Sequence, residues 1–190
     1  MNKSKPSNRK RIVELANRLF YEQGYNQTSF SDIAERLHIS KGNMTYHFHS
    51  KDELLHAVIE YRMEQIRETL RDWKEQYPEP LDRLKRFVTM LLNEADDLVD
   101  CGCPMGSLNA ELGKTQRNIQ KESRQMFDLF RQWLDEAFAQ LGYKDFGKKS
   151  MHLLSMAQGA ALMSYVYADP EIIDVECQYI IEWLDSMDAQ

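Results

Sequence analysis

The 190-residue chain has only three cysteines, and they form no pattern typical of a disulfide-rich or zinc-binding protein. Cys101 and Cys103 lie close together, but no second Cys/His pair accompanies them at ligand spacing. The sequence therefore predicts neither a disulfide framework nor a bound metal ion.

Segments that would direct the chain to a membrane are also missing. The basic N-terminus is not followed by the apolar stretch of a signal peptide. Residues 153–168 are uncharged, but they include Ser, Gln and two Tyr and are shorter than the ~20 residues that a membrane span requires. We expect a cytoplasmic protein without membrane contact, in which this stretch forms a buried or interfacial helix.

The sequence contains no motif of a catalytic centre. A Ser/His/Asp order, a phosphate-binding loop and a dinucleotide fingerprint are all absent. Most of the five histidines lie in the N-terminal part, and His152 stands apart from them. An enzyme is not expected, and no cofactor is predicted.

Helical periodicity is present along the whole chain, whereas no segment alternates apolar and polar residues like a strand. The sequence therefore predicts an all-α fold of about nine helices. Predicted breaks fall at Gly24, Tyr77–Pro80, Gly113, Gly142 and Asp169-Pro170. The last five predicted helices cover 81–98, 105–112, 119–141, 148–167 and 171–187.

Charge divides the chain into two parts. Residues 1–56 contain nine Lys/Arg and six Asp/Glu, a net charge of +3, whereas the remainder carries −9. A basic N-terminal part suits contact with nucleic-acid phosphates, which would repel the acidic remainder. A basic run near the start is either an arm that contacts phosphates or a solvated terminus. It consists of Lys3, Lys5, Arg9, Lys10 and Arg11.

Residues 28–51 have the pattern of a helix-turn-helix. The apolar face of the first helix consists of Phe30, Ile33, Ala34 and Leu37. Ser29 and Asp32 form a capping box at its start, and Ser40 caps a second helix over 41–47 after a tight turn. Ser50 and Glu53 form another capping box, which predicts a long helix from Lys51.

The helix over 41–47 presents mostly small and polar side chains and is typical of a helix that enters the major groove of double-stranded DNA. The residues expected to contact DNA are Thr28, Ser29, Ser40, Lys41, Gly42, Asn43, Thr45, Tyr46, His47 and Lys51. Lys51 is expected to hold a phosphate as a mobile charge. The residues expected to influence which sequence is preferred are Lys41, Gly42, Asn43 and Thr45.

Several of these features together resemble the TetR (tetracycline-repressor-like) family of transcriptional regulators over about residues 8–60. They are Gly24-Tyr25 before Thr28, the Asp32-Ile33-Ala34 core and the Phe48-x-Ser50-Lys51 exit. The chain departs from the family at His38, where glycine is common, and at Thr45, where tyrosine is common and the aromatic residue is instead Tyr46. Histidine is enriched among non-glycine residues at positive φ, so the turn is still expected to form.

The resemblance implies a DNA-binding domain at 1–50 and an effector-binding and dimerisation domain at 51–190. It implies a homodimer on a palindromic operator, usually a repressor that a small molecule releases. One short recognition helix reads only a few base pairs, which independently favours two copies on a palindrome. The expected dimer residues are Gly159, Ala160, Tyr165, Ile180, Trp183 and Leu184. The alternative is that these last helices cover only the monomer core.

A small-molecule effector is expected among Met and aromatic side chains of the helical body, because flexible thioethers suit adaptable apolar sites. Ordinary core packing is the alternative for each of them. The candidate pocket residues are Phe87, Met90, Cys103, Met105, Asn109, Met126, Phe130, Trp133 and Met163. Glu111 is a further candidate polar contact or a solvated residue.

Cys101–Gly106 resembles a Gly-Cys-Pro-x-Gly segment found in a subgroup of the family that includes sensors of electrophiles. A Cys103 thiolate at a helix start would be stabilised by amides, so a cysteine-based sensor on the same scaffold is one alternative function. An inert packed cysteine is the competing interpretation. A helical adaptor that has lost DNA binding is a third possibility.

Overall fold

The computed structural model describes residues 7–188, apart from the side chains of Thr115 and Asp188, and contains eleven helices and no strand over that range. The helices are α1 (Asn8–Glu22), α2 (Phe30–Leu37), α3 (Lys41–His47), α4 (Lys51–Gln76), α5 (Pro80–Asn93), α6 (Ala95–Cys101), α7 (Pro104–Thr115), α8 (Arg117–Ser123), α9 (Gln125–Gln140), α10 (Phe146–Tyr167) and α11 (Glu171–Asp188). The predicted all-α fold class is confirmed.

Two predicted helices are each divided at one residue, which accounts for the difference between nine and eleven. Glu94 leaves helical geometry with φ −110° and ψ 13° and separates α5 from α6. Arg124 separates α8 from α9 although it keeps right-handed helical angles. Because the apolar period continues across both residues, the sequence shows one helix where the structure has two.

Gly113 does not end a helix as predicted, since α7 continues to Thr115. A Cβ added at Gly113 would lie 2.7 Å from Nε2 of Gln120. Gly113 therefore lies inside a continuing helix, next to the end of the Gln120 side chain.

One compact unit contains the described residues up to Gln65 together with Ser107–Arg124. Within it α2 packs against α1 and α3. The buried Arg62 of α4 donates from Nε to Oδ1 of Asn17 in α1 at 2.5 Å and from NH2 to the Asn17 carbonyl at 3.2 Å. These bonds fix the first half of α4 against the N-terminal helix.

A second compact unit contains Ile66–Gly106 and the described residues from Gln125 onward. Within it α10 packs against α6, α9 and α11, and α5 packs against α9 and α11. Its largest fully buried side chains include Phe87, Phe138 and Leu84. The buried Arg83 donates to Oε1 of Gln140, which joins α5 to α9.

Two helices run through both units: α4 begins in the first and ends in the second, and α7 does the reverse. Packing therefore groups the start of α4, most of α7 and all of α8 with the N-terminal helices. The functional division at residue 50 stays a prediction. No helix within residues 7–188 is long and apolar enough to cross a membrane.

Candidate nucleic-acid interface

Side-chain caps stabilise the starts of both helices of the helix-turn-helix. Ser29 Oγ accepts the Asp32 N–H at 3.2 Å, and Asp32 Oδ2 accepts the Ser29 N–H at 2.7 Å, which completes the predicted capping box at α2. Hydrogen bonding from the Ser29 N–H, and then from the Ser29 hydroxyl, holds the pKa of the Asp32 carboxyl below its usual value. At α3, Ser40 Oγ accepts the Asn43 N–H at 3.2 Å as predicted.

The turn between the two helices depends on His38. This residue has φ 55° and ψ 42°, the left-handed conformation expected for a position where glycine is common. Its N–H and that of Ile39 bond to carbonyls near the end of α2, at Glu35 and Ala34. The chain therefore reverses within three residues and positions Ser40 to cap α3.

The buried side of α3 is formed by Met44, and Phe48 directly after the helix is also buried. Most of the remaining predicted contact residues face solvent. Ser40, Lys41, Gly42, Thr45 and Tyr46 are exposed, whereas Asn43 and His47 are half-buried. Tyr46 is 80% exposed, and its ring meets the His47 ring edge-on with centroids 5.0 Å apart. Ser29 at the start of α2 is exposed as well.

The structure contradicts one predicted DNA contact, Thr28, and shows Lys51 held in place instead of mobile. The Thr28 side chain is only 1% exposed, because its hydroxyl donates to the Gly24 carbonyl at 2.9 Å inside the loop before α2. Lys51 is half-buried and not a mobile charge, since its Nζ donates to the Asn26 carbonyl at 3.3 Å and lies 4.3 Å from the centre of the Tyr25 ring. Burial holds the Lys51 pKa below its ordinary value despite nearby carboxylates.

The start of α4 differs in detail from a reciprocal capping box. Ser50 Oγ accepts the Glu53 N–H at 3.0 Å as expected, but Glu53 Oε2 accepts from the His49 N–H at 2.7 Å rather than from Ser50.

Arg9 of the basic run places its guanidinium 4.8 Å from the Phe48 ring centre. Lys3 and Lys5 lie outside the described residues.

Sequence reasoning missed a polar cluster around the loop 24–26. The Tyr25 hydroxyl donates to Asp52 Oδ1 at 2.6 Å, and Gln116 Nε2 donates to the same oxygen at 3.1 Å. Burial and the Asp52 carboxylate raise the pKa of the Tyr25 hydroxyl. Glu111, considered above as a ligand contact, accepts the Tyr25 N–H at 2.8 Å. The only sequence signal was the Gly24-Tyr25 pair.

The predicted effector residues do not form one set. Phe87, Phe130 and Trp133 are buried in the core of the second unit, where the Phe87 and Phe130 ring centroids lie 5.7 Å apart and Trp133 lies 5.9 Å from Trp73. Met126 is also buried, and Met90, Cys103 and Met105 are half-buried against that core.

Two effector candidates lie apart from these residues. Asn109 belongs to the first unit, where its Nδ2 donates to Ser123 Oγ at 2.9 Å. Met163 is 41% exposed on α10 and does not belong to the interior. Met163 was chosen because it is an apolar residue of a predicted helix, but α10 carries apolar residues on both its buried and its exposed sides.

The predicted dimer residues also divide. Ala160, Ile180 and Leu184 are buried in the chain's own core and offer no surface to a second copy. Gly159 and Tyr165 are exposed, and Trp183 is half-buried. Other apolar side chains of α10 and α11 are exposed and were not predicted as dimer residues. They are Phe146, Met151, Leu162, Met163, Val166, Tyr167, Val175 and Tyr179.

The N-terminal helices match a known family of bacterial regulatory proteins. Residues 12–58 match the family described as "Bacterial regulatory proteins, tetR family". The regulator LmrA of Bacillus subtilis is 26% identical over 160 residues, covering 82% of this chain and 85% of LmrA. An uncharacterised helix-turn-helix regulator from the lacX 3′ region of Lactococcus lactis is 26% identical, with 87% of each chain covered.

The fold extends the comparison to nearly the whole chain. The crystal structure of a TetR transcriptional regulator from Legionella pneumophila superimposes with a TM-score of 0.84. It covers 94% of this chain and 98% of its own at 24% sequence identity. At this identity the superposition shows a shared fold.

Proposed function

We propose that this chain is a transcriptional regulator of the TetR family, whose family model it matches over residues 12–58, and that the exposed side of α3 reads the major groove of an operator. The observation that carries this proposal is the exposure of Lys41, Thr45 and Tyr46 on a helix whose other side is anchored by Met44. Lys41 and Tyr46 supply the charge and the hydrogen-bonding tip that backbone and base contacts require.

A homodimer on a palindromic operator is part of the same proposal. Leu162, Val166 and Tyr179 are large apolar side chains exposed on α10 and α11. Exposed apolar patches of this kind commonly mark protein–protein contacts, and burial against a second copy would remove them from water. Two copies of α3 would then read successive major grooves on one side of the duplex.

Release from the operator by a small effector completes the proposed function. The aromatic core around Phe87, Phe130 and Trp133 is the candidate binding region, and a ligand there would need apolar surface. A coupling free energy of about 1–3 kcal/mol between effector and operator is sufficient for regulation. Repression in the cytoplasm is the proposed output.

The test of DNA reading uses duplexes selected from a randomised pool by the full-length protein. Replacing Lys41 with alanine is expected to weaken binding to the selected duplex about tenfold, because it removes a cation from the reading surface. Lys144→Ala, which removes the same charge from an exposed position between α9 and α10, is the matched control and should change affinity less than about twofold.

Fluorescence anisotropy at several salt concentrations would measure both variants. Failure of the wild-type protein to enrich any duplex over the starting pool would contradict the regulator proposal. That result would favour the helical adaptor. Equal losses for Lys41→Ala and Lys144→Ala would show nonspecific electrostatic binding instead.

A cysteine-based sensor on the same scaffold is a second candidate, favoured by one observation. Cys103 lies directly before Pro104, the first residue of α7, and its Sγ accepts the Gly106 N–H at 3.4 Å. Cys103 is only half-buried, so a reagent can reach its sulfur, and a thiolate is the nucleophilic form of cysteine. Cys177, in contrast, is buried, and burial raises the pKa of its thiol to about 11.

N-ethylmaleimide provides a direct test of the sensor, since its double bond adds to a thiolate. We expect Cys103 to be modified at least about tenfold faster than Cys177, as measured by peptide mass spectrometry over time. The selected duplex should be released from the wild-type protein in parallel, and Cys103→Ser should retain it. Modification of Cys103 without release of DNA would end this proposal.

A further inference from the structure

The loop between α1 and α2 receives a carboxylate from α7. The backbone N–H groups of Tyr25 and Asn26 both donate to Oε2 of Glu111, at 2.8 and 3.3 Å. Successive backbone amides that point to one place form a concave donor site for an anion. Hydrogen bonds to an ionised acceptor are about twice as strong as neutral ones, so this contact is a strong restraint on the loop.

Gly24, directly before these two amides, leaves room for the Glu111 carboxylate. Gly24 has φ +85°, a conformation that L side chains rarely adopt. A Cβ added there would lie 2.4 Å from Oε1 of Glu111. Glycine at residue 24 therefore serves both the turn and the close approach of Glu111.

The same loop holds the start of α4. The Asn26 carbonyl accepts from Lys51 Nζ at 3.3 Å, and the Tyr25 hydroxyl donates to Asp52 Oδ1 at 2.6 Å. Three residues after Asn26, Ser29 caps α2. The loop therefore connects Glu111 with the first turn of α4 and with the entry to the helix-turn-helix, all within the first compact unit.

We propose that Glu111 is a positioning residue for operator binding: by holding the amides of Tyr25 and Asn26, it fixes the loop that places Lys51 and the start of α2. Glu111 acts through the loop and contacts neither base nor phosphate. The inference rests on the proposed DNA-reading function.

The experiment compares Glu111→Ala and Glu111→Gln with a matched control in the same unit. Glu122 of α8 is also a carboxylate, but it pairs with His56 Nδ1 of α4 at 2.6 Å, so Glu122→Ala removes a polar link to α4 without removing an acceptor from the loop. Each full-length variant would be tested for binding to a duplex selected by the wild-type protein. Residue-resolved amide hydrogen exchange would report on Tyr25 and Asn26.

We expect Glu111→Ala to accelerate exchange at both amides about tenfold and to weaken duplex binding about five- to tenfold. Glu111→Gln should lose less DNA affinity and less protection from exchange. Its side-chain amide oxygen is uncharged but can still accept from the N–H groups of Tyr25 and Asn26. Glu122→Ala should leave both measurements within about twofold of wild type. The slope of log affinity against log salt should be unchanged in all variants, since the number of phosphate contacts is the same.

Three outcomes would overturn the inference. Faster exchange with unchanged DNA affinity would make Glu111 a purely structural residue. Tighter DNA binding with a steeper salt slope would mean that Glu111 acts by repelling phosphate. Unchanged exchange would show that the carboxylate does not hold the loop. Failure of the proposed function is distinct, because in that case the wild-type protein itself would select no duplex.

Discussion

Replacement of Val166 by glutamate is expected to convert the protein to a monomer and to weaken binding to a palindromic duplex at least about 100-fold. Val166 is 60% exposed on α10, among apolar side chains that include Leu162 and Met163. In a symmetric contact the substitution would place two like charges near each other in a surface that loses its water, which costs several kcal/mol. Loss of the second reading helix removes the avidity that a palindrome provides.

Sedimentation at micromolar concentration would measure the assembly state, and anisotropy would measure DNA binding. Ala139→Glu is the matched control, because it adds the same charge at an exposed position on α9 in the same unit. A Val166→Glu protein that remains a dimer would move the proposed interface away from α10. A monomeric variant with wild-type affinity would show that one copy is sufficient for reading.

Replacement of Phe87 by alanine is expected to lower the free energy of unfolding by about 3–5 kcal/mol. Phe87 is only 2% exposed on α5, and its ring packs against Phe130 of α9. The substitution removes apolar contact and leaves a cavity that close-packed helices fill only in part. Urea unfolding followed by circular dichroism would measure the change.

Phe146→Ala provides the control for this prediction, since Phe146 at the start of α10 is 40% exposed. Its loss should cost less than about 1 kcal/mol, in line with other surface substitutions. A Phe87→Ala protein of nearly wild-type stability would indicate that the region between α5 and α9 can collapse around the missing ring. Such plasticity would favour an adaptable effector site at this point.

The helix-turn-helix could be predicted residue by residue because its signals are local. Ser29 and Asp32 are three residues apart, Ser40 precedes α3 directly, and the left-handed conformation of His38 follows from the tight turn. Caps and turns of this kind depend on neighbouring residues alone, so a single sequence is sufficient to recognise them.

The loop contact of Glu111 could not be predicted, because Tyr25 and Glu111 are 86 residues apart and nothing in either neighbourhood implies the other. The error over Ile180 and Leu184 has a different origin. Both α10 and α11 carry apolar side chains on their buried and their exposed sides. The spacing of apolar residues alone therefore cannot distinguish core residues from residues of a protein–protein interface.

The grouping of Ser107–Arg124 with the N-terminal helices affects how this protein could be divided into fragments. A fragment cut after Gln65 would lack Glu111, Gln116 and Glu122, which supply polar contacts to Tyr25, Asp52 and His56. A chimera that joins the N-terminal helices to a different C-terminal domain would therefore also need Ser107–Arg124, or a redesigned surface where this segment packs.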